Sequence, residues 1–351
     1  MSTTNMPPFI PGLELSRRFY TELIRPLLEE AAPGIPHSAA RLGSGSEVLG
    51  LDTAHSAHRE RVPRLQLFLR SGDVSRHAGR IRHHLSEHLP KTFHGRPTRA
   101  AEAPVHRTVE VTHVSSWFAA TLGFDPSSHI TPLDWLATPT QLLAGVTAGA
   151  VFHDGLRVLA PWRAALRWYP HDLWLHVLAC QWQRLSQEEA LVGHCGEMGD
   201  ELGSAVVTAR LVRDLMRLCL LMDRHYPPGD PWLGSAFART AAGSHLTPVL
   251  AAALAATDRH GREEHLTAAF EAVAALHNQR ELTDPLDPVT TPCRRFAAAL
   301  LGRVTDPAVR ALPTVGAVDQ FVDSAEVLGR AAAARAAAAG LADQRRTSTA
   351  R

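Results

Sequence analysis

Two segments of this chain carry residues whose types and spacing suit phosphate and metal chemistry. Residues 43–46 read Gly-Ser-Gly-Ser, a turn whose backbone N–H groups and hydroxyls are suited to grip phosphate oxygens. After a spacer of eleven residues, residues 58–60 read His-Arg-Glu, and Glu110 is a further carboxylate in the segment TVEVT. This set indicates nucleotidyl transfer, in which a divalent metal lies between the phosphates of a nucleoside triphosphate and the attacking hydroxyl.

Sites for nucleotidyl transfer usually have a pair of metal-binding carboxylates one residue apart, and the second segment departs from this pattern. His58 occupies the first position of that pair, and Mg²⁺ accepts imidazole nitrogen poorly, whereas Mn²⁺ or Zn²⁺ tolerates it better. Arg59, beside these positions, repels a metal and favours phosphate. The predicted roles are catalytic for His58, Glu60 and Glu110, metal-binding (Mg²⁺ or Mn²⁺) for Glu60 and Glu110, and nucleotide-binding for Gly43, Ser44, Gly45, Ser46, Arg59 and Arg64.

Other interpretations of these and neighbouring motifs stay open. The Gly-Ser turn by itself is also what a flexible surface turn would show. Residues 84–88, HLSEH, match the His-x-x-Glu-His arrangement of inverted zinc peptidases, but no clear third ligand follows. His194 precedes Cys195 in HCGEMGDELGS, where a Cys/His nucleophile is conceivable. Adjacent side chains point apart, so a turn between two helices is the expected structure there.

The composition predicts a soluble, globular, cytoplasmic protein without a membrane partner. Of the 351 residues, 45% are hydrophobic and 20% are charged, which is typical of folded domains. No apolar run reaches the length of a membrane span, and residues 1–15 lack the features of a signal peptide. The four cysteines form no C-x-x-C pair, so neither a zinc ribbon nor a disulfide framework is supported. Arginines are concentrated in residues 58–84, yet the net charge is only +1, so there is no strong nucleic-acid signature.

The hydrophobic pattern predicts an α+β protein in two parts. Apolar residues at helical spacing in LELSRRFYTELIRPLLEEA predict a first helix. AARLGSG, PRLQLFLR and HRTVEVTHV predict strands, with an amphipathic helix in DVSRHAGRIRHHLSEHL. Helical patterns dominate beyond residue 140. The predicted domains are a helical entry (1–34), an α/β domain (35–140), a mainly helical domain (141–328) and an Ala/Arg-rich disordered tail (329–351).

Several longer segments between residues 9 and 328 carry a resemblance to a known family, including GSGSEVLGLD, PRLQLFL, VEVTHV, AGAVFHDGL and YPHDLWLHVLACQWQRLSQEEALVGHCGEMGDELGS. The chain resembles an uncharacterised bacterial family of unknown function whose members are regarded as nucleotidyltransferase-fold proteins of the polymerase-β type. The resemblance implies that residues 35–140 form the nucleotidyltransferase-like domain. The family pattern Asp-His-Asp-Trp-Gly-Pro-Arg reads HRERVPR at residues 58–64 here, so both carboxylate positions are changed.

Two functions are expected on this basis. The first is metal-dependent transfer of a nucleotidyl group from a nucleoside triphosphate to an unidentified small-molecule or macromolecular acceptor. The second is a catalytically inactive protein of the same fold, a pseudoenzyme, that binds a nucleotide, a small ligand or a protein partner. The sequence leaves open whether the chain is an enzyme, as well as the acceptor, the base preference and the oligomeric state.

Overall fold

The structure is a computed structural model that describes residues 9–54, 62–99 and 107–340. It has a small sheet in its N-terminal part and mainly helices in its C-terminal part, so the predicted α+β class is confirmed. The chain divides into two compact units. We call Met1–Ile130 with Leu142–Arg167 the N-terminal unit, and Thr131–Gln141 with Trp168–Arg351 the helical unit.

The strands found among the described residues all belong to the N-terminal unit. They are β1 (His37–Arg41), β2 (Leu65–Leu69), β3 (Thr92–Phe93), β4 (Arg96–Pro97), β5 (Val109–His113) and β6 (Ala150–Asp154). Four of them form one sheet in the order β5-β2-β1-β6, and β3 pairs with β4 in a short separate hairpin. Strand β2 is parallel to β5 and antiparallel to β1, and β1 is antiparallel to β6. The three strands predicted from sequence are therefore present, and they are adjacent in the sheet.

The helices follow one another closely in the second half of the chain. In chain order they are α1 (Gly12–Phe19), α2 (Arg25–Ala31), α3 (Ser71–His88), α4 (Val114–Leu122), α5 (Pro132–Ala137), α6 (Thr140–Thr147), α7 (Leu159–Ala165), α8 (His171–Glu188), α9 (Leu191–Glu197), α10 (Glu201–Met222), α11 (Asp230–Ala238), α12 (Ala241–Ala255), α13 (Arg259–Gln279), α14 (Cys293–Arg303), α15 (Pro307–Arg310), α16 (Ala325–Leu328) and α17 (Ala331–Ala338).

The core of the N-terminal unit lies between one face of the sheet and three helices. A π-helical turn at Tyr20–Ile24 joins α1 to α2, so the predicted first helix is a single helical run. Because successive strand residues alternate between faces, the leucines of β2 and the valines of β5 share one face of the sheet. They pack there with α1, α2 and α3 in one buried cluster, whose members include Phe19, Leu28, Leu67, Ile81, Leu85, Val109 and Val111. The opposite face carries Gln66, Phe68 and Glu110.

Strand β6 lies beyond the predicted domain boundary at residue 140 but pairs with β1. Ala40 pairs with Val151 and Ser38 with Asp154, and the register shifts between Ala39 and Ala40. Ser38 Oγ donates a hydrogen bond to Asp154 Oδ1 at 2.7 Å across this pair. The sheet therefore draws residues 142–167 into the N-terminal unit. The predicted strands did not include this edge strand.

The helical unit is built around apolar helix faces. Trp174, Leu178 and Trp182 recur every four residues on α8, a spacing that predicts core packing, and all three are buried. Part of the predicted disordered tail is helical instead, because residues 331–338 form α17 and bury Ala334 and Ala338. Alanine has the highest helix propensity, and Arg335 forms an ion pair with Asp134.

Within the three described ranges, no helix combines the length and the apolar character needed to cross a bilayer.

Candidate functional site

The Gly-Ser turn directly follows β1 and has the conformation that its glycines allow. Gly45 has φ +145°, in a region that residues with a side chain rarely adopt. A Cβ on Gly45 would lie 2.6 Å from Glu47 Oε1 and 2.7 Å from Arg41 Nη2. The Gly43 N–H donates to the carbonyl of Gly145 on α6 at 2.9 Å, which ties the start of the turn to that helix. The glycines and the hydrogen bond to α6 therefore define the conformation of the turn.

A buried ion pair lies beneath the turn. Arg41, the last residue of β1, is 3% exposed, and Glu47, directly after the turn, is 8% exposed. Arg41 Nε donates to Glu47 Oε1 at 2.8 Å. The other guanidinium nitrogens donate to the carbonyls of Leu42 and Ser44, at 2.6 and 2.5 Å. One arginine side chain thus holds the carbonyl just before the turn, one carbonyl within it and the carboxylate that follows it.

The charge state of Glu47 follows from the same contacts. Burial raises the pKa of Glu47, but the charge and hydrogen bonds of Arg41 and the nearby charge of Arg64 lower it more, so the pKa lies below that of an ordinary glutamate. Glu47 is therefore ionised at neutral pH and compensates the buried charge of Arg41. Its Oε2 has no hydrogen-bond donor among the described residues.

The backbone of the turn presents hydrogen-bond donors rather than acceptors. In a trans peptide the C=O and the following N–H point in opposite directions. Because Arg41 binds the carbonyl of Ser44, the N–H of Gly45 points away from Arg41. In the part of the chain that the structure describes, the N–H groups of Ser44, Gly45 and Ser46 have no protein acceptor. Such a run of backbone N–H groups is suited to bind an anion.

A surface pocket borders the turn on the side of Ser46. Arg64, one of the predicted nucleotide-binding residues, lies in its wall, and its Nη2 is 3.5 Å from Glu47 Oε1. Asp52 Oδ2 accepts a hydrogen bond from the Gly12 N–H at the start of α1, at 2.7 Å. The pocket is lined by Ile10, Gly12, Leu15, Ser16, Ser46, Glu47, Asp52, Val62, Pro63, Arg64 and Arg96.

Glu110 is linked to the turn through Trp117 on α4. Trp117 Nε1 donates to Glu110 Oε2 at 3.1 Å, and a Cβ on Gly43 would lie 3.4 Å from the same indole ring. On the neighbouring strand β2, Gln66 is the register partner of Glu110, and its Oε1 accepts from the Leu42 N–H at 3.0 Å. Glu110 is exposed on the sheet face beside the turn, but it does not line the pocket of Ser46 and Arg64.

The remaining predicted site residues, His58, Arg59 and Glu60, lie outside the described residues. Among the residues that are described, no three His, Cys, Asp or Glu side chains form a group that could hold a metal ion. Of the predicted carboxylates, only Glu110 is therefore placed. One carboxylate bound to an indole N–H does not by itself make a site for Mg²⁺ or Mn²⁺, which take several oxygen ligands.

Five residues at this site were not among the predicted ones: Arg41, Glu47, Asp52, Arg96 and Trp117. Arg41 and Glu47 flank the turn in sequence. Two opposite charges at the ends of a Gly-Ser turn are a local pattern from which an ion pair could be predicted. Arg96 and Trp117 come from distant segments with no local motif. Only the packing of the unit brings these two residues to the site.

The competing motifs have structural roles. His84 and His88 stack with ring centroids 4.0 Å apart on α3, and His84 Nε2 is 3.1 Å from Glu30 Oε2. In HCGEMGDELGS, residue 199 lies between α9 and α10, and Asp200 caps α10 by accepting from the Gly203 N–H at 2.7 Å. The predicted turn between helices is therefore present at residue 199, but His194 and Cys195 lie within α9 and not in the turn.

Part of the chain matches a known family model. No curated protein matches the chain. No solved structure matches it either. Residues 135–233 match the family described as Domain of unknown function (DUF4037), which confirms the predicted relation to an uncharacterised domain family.

Proposed function

We propose that the N-terminal unit binds the phosphates of a nucleoside triphosphate at the Gly43–Ser46 turn. The observation that carries this proposal is the set of three successive N–H groups, at Ser44, Gly45 and Ser46, that have no acceptor within the described protein. Phosphate oxygens accept such hydrogen bonds, and backbone donors need no side-chain ordering to meet them. Ser46, which is buried beside the pocket, adds a hydroxyl.

Preorganisation supports binding at this turn. Arg41 binds the carbonyls of Leu42, just before the turn, and of Ser44 within it, and the Gly43–Gly145 hydrogen bond anchors the first residue of the turn. A binding loop that is ordered before its ligand arrives loses less conformational entropy on binding. The pocket wall also carries Arg64, and guanidinium groups bind phosphate with two parallel hydrogen bonds.

Nucleotidyl transfer is a second candidate, favoured by the position of Glu110 beside the same turn. A carboxylate there suits a metal that contacts the phosphates. Transfer needs further carboxylates, and the described residues supply no metal-binding group of three. An experiment can therefore distinguish the two expected functions. A catalytically inactive protein binds the triphosphate but does not transfer its nucleotidyl group to an acceptor.

Thermal unfolding in the presence of ATP, GTP, CTP or UTP, each with Mg²⁺ or Mn²⁺, tests the proposal. A ligand at a hundred times its dissociation constant adds about 2.7 kcal/mol to the free energy of unfolding, which raises the melting temperature measurably. Ser46→Ala should reduce this increase, whereas the exposed Ser75→Ala on α3 should not. If none of the four nucleotides shifts the melting temperature at millimolar concentration, the proposal fails. Transfer of label from an α-labelled triphosphate to an acceptor would show that the protein is also a nucleotidyltransferase.

A further inference from the structure

The charged residues that line the pocket beside the turn balance to zero. They are the carboxylates Glu47 and Asp52 and the guanidinium groups of Arg64 and Arg96. Arg64 Nη2 lies 3.5 Å from Glu47 Oε1, and both arginines have interaction partners within the protein. Because the pocket wall carries no excess of positive charge, it suits an uncharged part of a ligand better than a phosphate.

The rest of the pocket wall combines apolar side chains with hydroxyl groups. With its open mouth included, the pocket has a volume of about 400 Å³. The hydroxyls belong to Ser16 and Ser46, and the apolar side chains are those of Ile10, Leu15, Val62 and Pro63. Sites for small molecules usually have such a wall, in which a few polar groups orient the ligand. A sugar ring, with apolar C–H faces and hydroxyls at its rim, matches both parts of this wall.

Asp52 offers the pocket a carboxylate oxygen that can accept a hydrogen bond. Its Oδ2 accepts from the Gly12 N–H at 2.7 Å. In the parts of the chain that the structure describes, Oδ1 of the same side chain has no donor. Asp52 is half-buried, and an ionised carboxylate accepts hydrogen bonds but donates none. The ligand group beside Asp52 must therefore carry a donor, as a hydroxyl does.

The backbone after the turn fixes where Asp52 lies. The Leu51 N–H donates to the Ser46 carbonyl at 2.8 Å, so the chain returns to the turn just before Asp52. A Cβ on Gly12 would lie 2.6 Å from Glu47 Cβ and 3.5 Å from Asp52 Oδ2. Both carboxylate side chains thus approach the same glycine at the start of α1. Asp52 is therefore held close to Ser46, which belongs both to the turn and to the pocket wall.

We infer that this pocket holds the ribose of the nucleotide and that Asp52 accepts a hydrogen bond from one of its two vicinal hydroxyls. The inference rests on the proposed function and deepens it, because it makes the ligand a ribonucleotide. The ribose is the group directly attached to the α-phosphate, and Ser46 joins the turn to the pocket. An ionised phosphate does not suit the position beside Asp52, since it has no hydrogen-bond donor and carries the same sign of charge.

Isothermal titration of the full chain with ATP, 2′-deoxyATP, 3′-deoxyATP and inorganic tripolyphosphate tests this inference. Loss of the hydroxyl that Asp52 binds should weaken binding by about tenfold or more, because hydrogen bonds to charged groups contribute more than neutral ones. At least one of the two deoxynucleotides should therefore bind more weakly than ATP. Tripolyphosphate, which has no ribose, should also bind more weakly than ATP.

Asp52→Asn tests whether this carboxylate makes the distinction. The amide keeps an oxygen for the Gly12 N–H but replaces the second, negatively charged acceptor by a donor. The variant should bind ATP about as weakly as the wild type binds the poorer deoxynucleotide, and its affinity for that deoxynucleotide should not change. Asp73→Asn on α3, outside the pocket wall, is the matched control and should prefer ATP as the wild type does.

The outcomes distinguish this inference from the proposed function. If the wild type binds ATP and both deoxynucleotides equally tightly, or if Asp52→Asn keeps the wild-type preference, the inference is wrong and the proposed function stands. If tripolyphosphate binds as tightly as ATP, the turn binds phosphate but the pocket does not hold the ribose. If none of the four ligands binds, both proposals are wrong. Circular dichroism verifies the folding of Asp52→Asn, and the comparison of nucleotides on the wild type decides if this variant does not fold.

Discussion

Arg41 Nε lies 2.8 Å from Glu47 Oε1, and this ion pair is buried beneath the Gly43–Ser46 turn. The two residues flank the turn in sequence, so their contact closes it into a short loop. Because Arg41 also binds the carbonyls of Leu42 and Ser44, its guanidinium fixes these two acceptors, and the N–H of Gly45 points away from it. The ion pair is thus the structural basis of the proposed phosphate site.

Glu47→Gln should destabilise the N-terminal unit and abolish triphosphate binding. The substitution leaves the charge of Arg41 buried without its main counter-ion, and breaking a buried pair in this way costs about 3 kcal/mol or more. Urea unfolding followed by circular dichroism measures the loss. Arg17→Ala, which removes a partner of Glu14 in an exposed pair of the same unit, should cost much less. Equal losses in the two variants would show that the Arg41–Glu47 pair does not stabilise the turn.

Gly145→Ala should displace the turn, because the added Cβ would lie 2.6 Å from the Gly43 carbonyl oxygen. The structure must shift to relieve this contact, at a cost of about 1–3 kcal/mol, and the Gly43–Gly145 hydrogen bond should be lost. Gly79→Ala on α3 is the matched control. A Cβ there meets nothing within 4 Å, so the higher helix propensity of alanine should stabilise the protein by up to about 1 kcal/mol. If Gly145→Ala and Gly79→Ala change the melting temperature in the same direction, the close approach of Gly145 to Gly43 is contradicted.

The sequence predicted the elements of this site better than the contacts between them. The strand into the Gly-Ser turn, the strand of Leu65–Leu69 and the strand of Glu110 could all be predicted, because apolar alternation and glycine are local signals. Glu47 could not be predicted to be buried, since a charged residue after a turn normally faces solvent. Its burial depends on α1, where a Cβ on Gly12 would lie 2.6 Å from Glu47 Cβ.

The elements that were missed are short or depend on pairing partners. Strand β6 is an edge strand that pairs with β1, a partner more than a hundred residues away in sequence. The β3–β4 hairpin has two residues in each strand, too few for an alternating pattern, so Arg96 had no signal. Residues 58–60 lie outside the described residues, and their predicted roles stay predictions.

Glu110→Gln should leave the fold intact and remove any metal-dependent part of nucleotide binding. A glutamine oxygen can still accept the hydrogen bond from Trp117, and exposed substitutions usually change stability by less than about 0.5 kcal/mol. Titration of ATP with and without Mn²⁺ measures the metal-dependent increment. Glu87→Gln, an exposed glutamate on α3, should retain that increment in full. An unchanged increment in Glu110→Gln would exclude this carboxylate as a metal ligand.

The helical unit should lose stability as the pH falls from about 6.5 towards 4. Burial lowers the pKa of both His176 and His277 to about 4. Between these values the unfolded chain takes up protons that the folded unit does not, so stability rises with pH and falls on acidification. The loss approaches about 3 kcal/mol for each histidine at pH 4.

The hydrogen bond that His277 accepts explains why its imidazole stays neutral, and substitution of this histidine tests the predicted pH dependence. Trp182 Nε1, which can only donate, lies 3.2 Å from His277 Nδ1, so that nitrogen is an acceptor. Urea unfolding followed by tryptophan fluorescence should give a shallower pH dependence for His277→Gln than for the wild type. His83→Gln, an exposed histidine, should reproduce the wild-type slope. A His277→Gln slope identical to that of the wild type would show that this histidine does not resist protonation.

Amide hydrogen exchange in the Gly43–Ser46 turn tests most directly whether its backbone N–H groups bind phosphate. Ser44, Gly45 and Ser46 should exchange their amide hydrogens more slowly when saturating ATP is added, because each N–H then donates to a phosphate oxygen. Adenosine at the same concentration should leave their exchange unchanged, as should ATP for the exposed residues of α3. If ATP binds to saturation while the exchange of these three amides stays the same, the turn is not the phosphate site and the proposed function is wrong.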